Sequence, residues 1–152
     1  MNKDNYEALR KKHNLPEFEK LDTEFNISEI EEDGRPLRQI RGKMEEKIEF
    51  FVEILNIILQ PDANSFSDLY ECRFFNDEEK AKALELFKEL MIVDRGLIEA
   101  EVLSEEKADA ESIREAYAVV CKIKSDILPL VRKMKDIWKR PTAKKEILGY
   151  LG

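Results

Sequence analysis

Three long stretches, residues 36–60, 77–102 and 105–140, repeat apolar side chains at the period of an α-helix and hold more than half of the 152-residue chain. A repeat of three to four residues cannot line one face of a strand, where side chains alternate with period two. The chain is therefore confined to helix-on-helix packing. The pattern predicts an all-α helical bundle built on these three helices, with short N-terminal and connecting helices around them, as one domain over residues 1–152. Gly and Pro number only five each, and 43% of residues are hydrophobic, enough for a core.

Local signals place the ends of the helices. Asp4 is positioned to cap a short helix over 5–13 that stops at Asn14. Pro16 suits the first position of a second short helix running to about Phe25. Ser28 and Glu31 have capping-box spacing, but Asp33-Gly34 ends anything begun there. Pro36 opens the first long helix and Gln60-Pro61 closes it; Ser65 with Asp68 starts a short helix from Phe66 to about Phe74. Asn76 with Glu79 forms a stronger capping box for the second long helix, which Gly96 weakens by about 1 kcal/mol relative to Ala, marking Arg95-Gly96 as the place for a break. Ser104 caps the third, Pro129 interrupts its hydrogen bonding, and Pro141 ends it before a final turn.

Each long helix shows a face. Within residues 50–59 the apolar side chains spread over an arc of about 220°, twice the ~100° that a surface helix needs. Phe50, Phe51, Ile54, Leu55 and Ile58 are therefore the candidate apolar interface or core. The second helix carries a stripe of Ala81, Leu84, Phe87, Met91 and Ile98, interrupted by Asp94. The third carries a heptad-like seam of Ile113, Tyr117, Val120, Lys124, Ile127, Val131, Met134 and Trp138.

Catalytic chemistry finds little to stand on. A helical di-metal centre needs Glu-x-x-His on two helices, but the sole histidine is His13 and no Glu-x-x-His occurs. Asp62-Ala63-Asn64-Ser65 begins like a calcium loop, then puts Ser67 at the glycine position and Arg73 where a bidentate Glu belongs. Gly42-Lys43 lies inside a predicted helix and is followed by Met44, so it is no phosphate loop. Cys72 and Cys121 are far apart, with no candidate base beside them, and suit small packing residues. The expectation is no catalytic residue, no metal and no cofactor.

Charge is distributed unevenly. The chain carries a net −7, yet residues 122–152 hold nine Lys/Arg against three Asp/Glu. Residues 17–33 hold eight acidic side chains and only Lys20 against them. Arg132, Lys133, Lys135, Lys139, Arg140, Lys144 and Lys145 form a candidate basic patch. Helix-dipole complementarity accounts for it, as does pairing with the acidic segment or a second copy; a phosphate-binding surface is the third reading. The net negative charge opposes encounter with a polyanion. The expected function is a non-catalytic, cytoplasmic helical interaction or scaffold module that binds a protein partner or itself, with no membrane span. A nucleic-acid-associated accessory protein is the alternative. A helical enzyme or small-ligand binder comes third, and a pocket enclosed by Phe50, Phe87, Tyr117 and Trp138 would favour it.

Overall fold

The computed structural model of the chain describes residues 1–32 and 34–142. These form an all-α bundle with no strand: α1 (Lys3–His13), α2 (Phe18–Phe25), α3 (Pro36–Leu59), α4 (Phe66–Cys72), α5 (Asp77–Leu103) and α6 (Glu106–Ile137), with a 3₁₀ turn, Ile27–Glu29, after α2. The final turn expected beyond Pro141 lies outside the described residues.

Side-chain caps fix several of the ends. The Asn76 side chain accepts the Glu79 amide at 2.8 Å while the Glu79 carboxylate accepts the Asn76 amide at 3.1 Å, completing the capping box of α5. Ser65 Oγ accepts the Asp68 amide at the start of α4. Asn14, Asn26 and Ser104 end their helices with φ of 52–54°, each returning its amide to the carbonyl four residues back.

Three starts differ from the sequence reading. Asn2, not Asp4, caps α1 by accepting the Asn5 amide at 2.9 Å. Pro16 stays outside α2 because its carbonyl accepts the Tyr6 hydroxyl, so the helix begins at Phe18 behind Glu17. Ser104 serves the end of α5 instead of the start of α6: a two-residue link must reverse the chain, and Ser104 adopts the left-handed conformation that does so. Helix α5 runs unbroken through Gly96, and α6 runs through Pro129.

The three long helices pack on one another, with α5 antiparallel to α6 and both against α3. Burial on α5 follows Ala83, Leu86, Leu90, Val93, Leu97 and Ala100, a strict alternation of three- and four-residue steps. The stripe expected from the sequence lies elsewhere: Leu84 and Ile98 are exposed, and Phe87 and Met91 only half-buried. On α6 the seam is Ile113, Ala116, Val120, Ile123, Ile127, Leu130, Met134 and Ile137. Every second member is one residue earlier than expected. Alanines at 83, 100 and 116 let the backbones approach, and close approach selects the seam that carries them. Tyr6, Leu21, Phe25 and Ile27 from the N-terminal helices and turn join the same core over α3 and α6.

Candidate functional site

The apolar candidates on α3 divide between inside and outside. Phe51, Leu55 and Ile58 are buried in the core, Ile54 is half-buried, and Phe50 is 54% exposed with its ring 5.8 Å from that of Phe51. The broad arc is thus largely consumed by packing, since α3 is contacted by α2, α4, α5 and α6. Exposed apolar surface concentrates on a different helix. Of nine exposed large hydrophobic side chains among the described residues, five belong to α5: Leu84, Ile92, Ile98, Val102 and Leu103. Ile92 and Val102 are 73% and 79% exposed.

That concentration follows from the α5 sequence. Leu84, Lys88, Met91, Arg95, Ile98 and Val102 alternate in steps of four and three, so at 100° per residue they share one face. The buried seam runs along the opposite side. Helix α5 therefore carries two apolar seams, one filled by α3 and α6 and one facing solvent. Beside the outer seam, Gly96, Glu99, Leu103, Ala108, Glu111 and Glu115 line a shallow groove of about 160 Å³ between the end of α5 and the start of α6.

The basic candidates also divide. Arg132 and Lys135 lie on the solvent face of α6 and Lys139 in the turn just after it; Lys139 pairs with Asp136 at 3.4 Å, and neither Arg132 nor Lys135 has an ion pair among the described residues. Lys133 is tied inward, to Glu79 at 2.6 Å and over the Phe75 ring at 5.0 Å. Arg140 sits over the Phe74 ring at 4.7 Å. Lys144 and Lys145 lie outside the described residues. The acidic segment 17–33 meets this basic stretch through Glu24, which holds Lys124 at 2.7 Å; Lys122 and Lys133 pair instead with Glu89 and Glu79 of α5.

Sequence reading missed an aromatic cluster on α4. Tyr70 stacks on Trp138 with centroids 4.9 Å apart and on Phe66 at 6.0 Å, with Phe74 tilted against it at 5.3 Å. Beneath them lies Glu71, whose pKa is raised by burial, although the Trp138 indole donates a hydrogen bond that holds the carboxylate form. Phe66, Tyr70 and Phe74 recur every four residues in a segment too short to show a periodic stripe. Trp138, one residue off the seam, is the counterpart that turns them into a cluster.

The bundle also buries one arginine. Arg41 is 2% exposed and donates to the Leu97 carbonyl at 3.1 Å and to Glu101 at 2.5 Å. Its Nε lies 2.8 Å from Asp109 Oδ1 but does not aim along that contact, so the two meet as opposite charges and not as an aligned hydrogen bond. Hydrogen bonds from Arg41 and Arg38 hold the Glu101 carboxyl below its ordinary value. The two terminal nitrogens are bonded to the Leu97 carbonyl and the Glu101 carboxylate while Nε stands against the Asp109 charge, a clamp joining the start of α3 to the end of α5 and the start of α6.

Catalytic groupings do not assemble. Among the described residues no three His, Cys, Asp or Glu side chains gather as metal ligands. Cys121 touches Tyr117, whose pKa is pushed up to about 12, chiefly by burial. His13 bonds Glu106 at 2.5 Å together with Lys12, fastening α1 to the start of α6. Phe50 and Trp138 are each about half exposed and pack on different neighbours, Phe51 and Tyr70, so the four-aromatic pocket is not formed. No described helix is long and apolar enough to cross a membrane. No known protein family matches the chain, and no curated protein or solved structure is significantly similar to it.

Proposed function

We propose that the chain is a non-catalytic helical interaction module that docks a protein partner, a second copy included, through the outer face of α5. One observation carries this reading: α5 presents a second heptad-spaced seam to solvent, in which Val102 is 79% exposed, with Ile92, 73% exposed, on its flank beside Met91. Single exposed apolar residues are ordinary on a monomer, whereas five on one helix form the kind of surface that marks an interaction site. A helix apolar on opposite sides is at home between two layers, and the bundle supplies only one of them.

The test compares the tagged chain with its Ile92→Glu/Val102→Glu variant, both cross-linked in the same cells, with the captured proteins identified and quantified by mass spectrometry. A defined protein, or further copies of the chain, should be retained by the parent and lost from the variant while helicity is unchanged. Equal retention on both overturns the reading.

A second reading rests on the solvent face of α6 and the turn after it, where Arg132 and Lys135 lack ion pairs among the described residues and the half-exposed Trp138 adjoins Lys139. Cations interleaved with an exposed ring suit single-stranded nucleic acid, through phosphate contacts and base stacking. The net charge of −7 weighs against it at long range.

A further inference from the structure

Resting on the docking reading above, we infer that the occupant of the outer α5 face is α5 of a second copy of this chain, packed antiparallel about a two-fold axis near its middle. The charges on the face select this arrangement. The outer seam has two cationic members, Lys88 and Arg95, and Glu99 stands beside it. Parallel, in-register pairing would set Lys88 against Lys88 and Arg95 against Arg95 across a seam that excludes water. Antiparallel pairing with Leu84 opposite Val102 of the second copy sets the two Lys88 ten residues apart along the seam and offsets each Arg95 from its copy by one helical turn. It also sets Lys88 beside Glu99 of the second copy, and two-fold symmetry makes that contact twice. Neither Lys88 nor Glu99 has an ion pair within the described residues, so both are available for it. Leu84 then meets Val102, Ile98 covers the stem of Lys88, whose ammonium reaches the rim, and Met91 lies along the stem of Arg95. The acidic groove beside the seam, with Glu111 and Glu115 on its wall, adds to the negative field that Lys88 enters.

A single helix-on-helix seam belongs to the smaller, reversible interfaces, below about 1,200 Å² in total. The dimer is therefore read in a concentration series of the purified full chain by light scattering or sedimentation. Mass should rise from one chain towards two between ~5 and ~500 µM, the span in which a micromolar complex populates. Ile92→Glu/Val102→Glu should stay monomeric throughout, with an unchanged helical spectrum because both side chains lie outside the core. Lys88→Glu and Glu99→Lys should each weaken association about tenfold, since each turns two attractions into repulsions. The double exchange Lys88→Glu/Glu99→Lys should restore it.

A chain that remains monomeric at ~500 µM overturns the second copy as occupant. The cross-linking comparison would still stand if it had found a different protein lost from the Ile92→Glu/Val102→Glu variant, which separates the two failures. A dimer insensitive to Ile92→Glu/Val102→Glu places the interface elsewhere. One weakened by both single charge reversals but not rescued by the double exchange overturns the antiparallel register.

Discussion

Replacing Arg41 by Met tests the clamp at the end of the bundle, and its three partners on α5 and α6 can be weighed separately. The Leu97 carbonyl keeps its intrahelical bond when the guanidinium leaves, and the Glu101 carboxylate is exposed enough for water to replace it. Asp109 is different: it is 4% exposed and the guanidinium is the cation beside it. Arg41→Met should therefore cost about 3–5 kcal/mol at pH 7, the range for stranding one member of a buried pair. With total stability of about 5–15 kcal/mol and a urea slope near 2 kcal/mol/M, the midpoint should fall by about 2 M. Asp109→Asn should cost less, about 1–3 kcal/mol, because Arg41 keeps Glu101 and Leu97. Arg41→Met/Asp109→Leu, which removes both charges, should return to within about 1–2 kcal/mol of the parent. A loss below about 1 kcal/mol for Arg41→Met, or a double variant no more stable than Arg41→Met alone, would refute the reasoning.

Other outcomes follow from burial and charge. Leu55→Ala or Ile58→Ala should lose about 2–5 kcal/mol in urea unfolding, and Phe50→Ala much less, because its ring is mostly in water. Glu71→Gln should match or exceed the parent's thermal stability at pH 7. Its folded pKa is raised, so the parent gains stability as pH drops through that value towards the unfolded one, and the variant should lack this gain. Nucleic acid should bind weakly or not at all at physiological salt in fluorescence anisotropy. A sub-micromolar complex whose log–log salt slope loses about 3 units in magnitude on exchanging Arg132, Lys135 and Lys139 for Gln would make the α6 surface the functional one.

Helix existence and several of the limits were legible because the signals are local, while the starts of α1, α2 and α6 were misplaced by one or two residues. Pro36, the Asn76–Glu79 box and the Asn14 stop act within four residues of where they sit. Phase was less legible, because it depends on what the helix packs against. On α6 both candidate seams share Ile113, Val120, Ile127 and Met134; they differ in Ala116 against Tyr117 and in Ile123 against Lys124. Hydrophobicity alone cannot rank alanine over tyrosine, but a close helix contact can. The Arg41 clamp was invisible for a related reason. The partners that bury it are 56–68 residues away on two other helices, and its one local partner, Glu45 at 4.0 Å, is an i,i+4 pairing of the kind found on any helix surface.

The misplaced stripe on α5 carries the most information about function. Leu84, Met91 and Ile98 do repeat at helical spacing, and the expectation that such a repeat is buried fails only because a second repeat, Ala83 to Ala100, is better suited to α3 and α6. The two seams differ in one chemical respect. The inner one is wholly apolar, as a permanent contact requires. The outer one is broken by Lys88 and Arg95, and charged members in a heptad seam lower its stability while fixing the register and direction of whatever packs there. In the antiparallel pairing proposed above, Lys88 would meet Glu99 of the second copy, where a parallel pairing would set it against itself. That pattern suits a surface which must stay in water alone and recognise one orientation when paired.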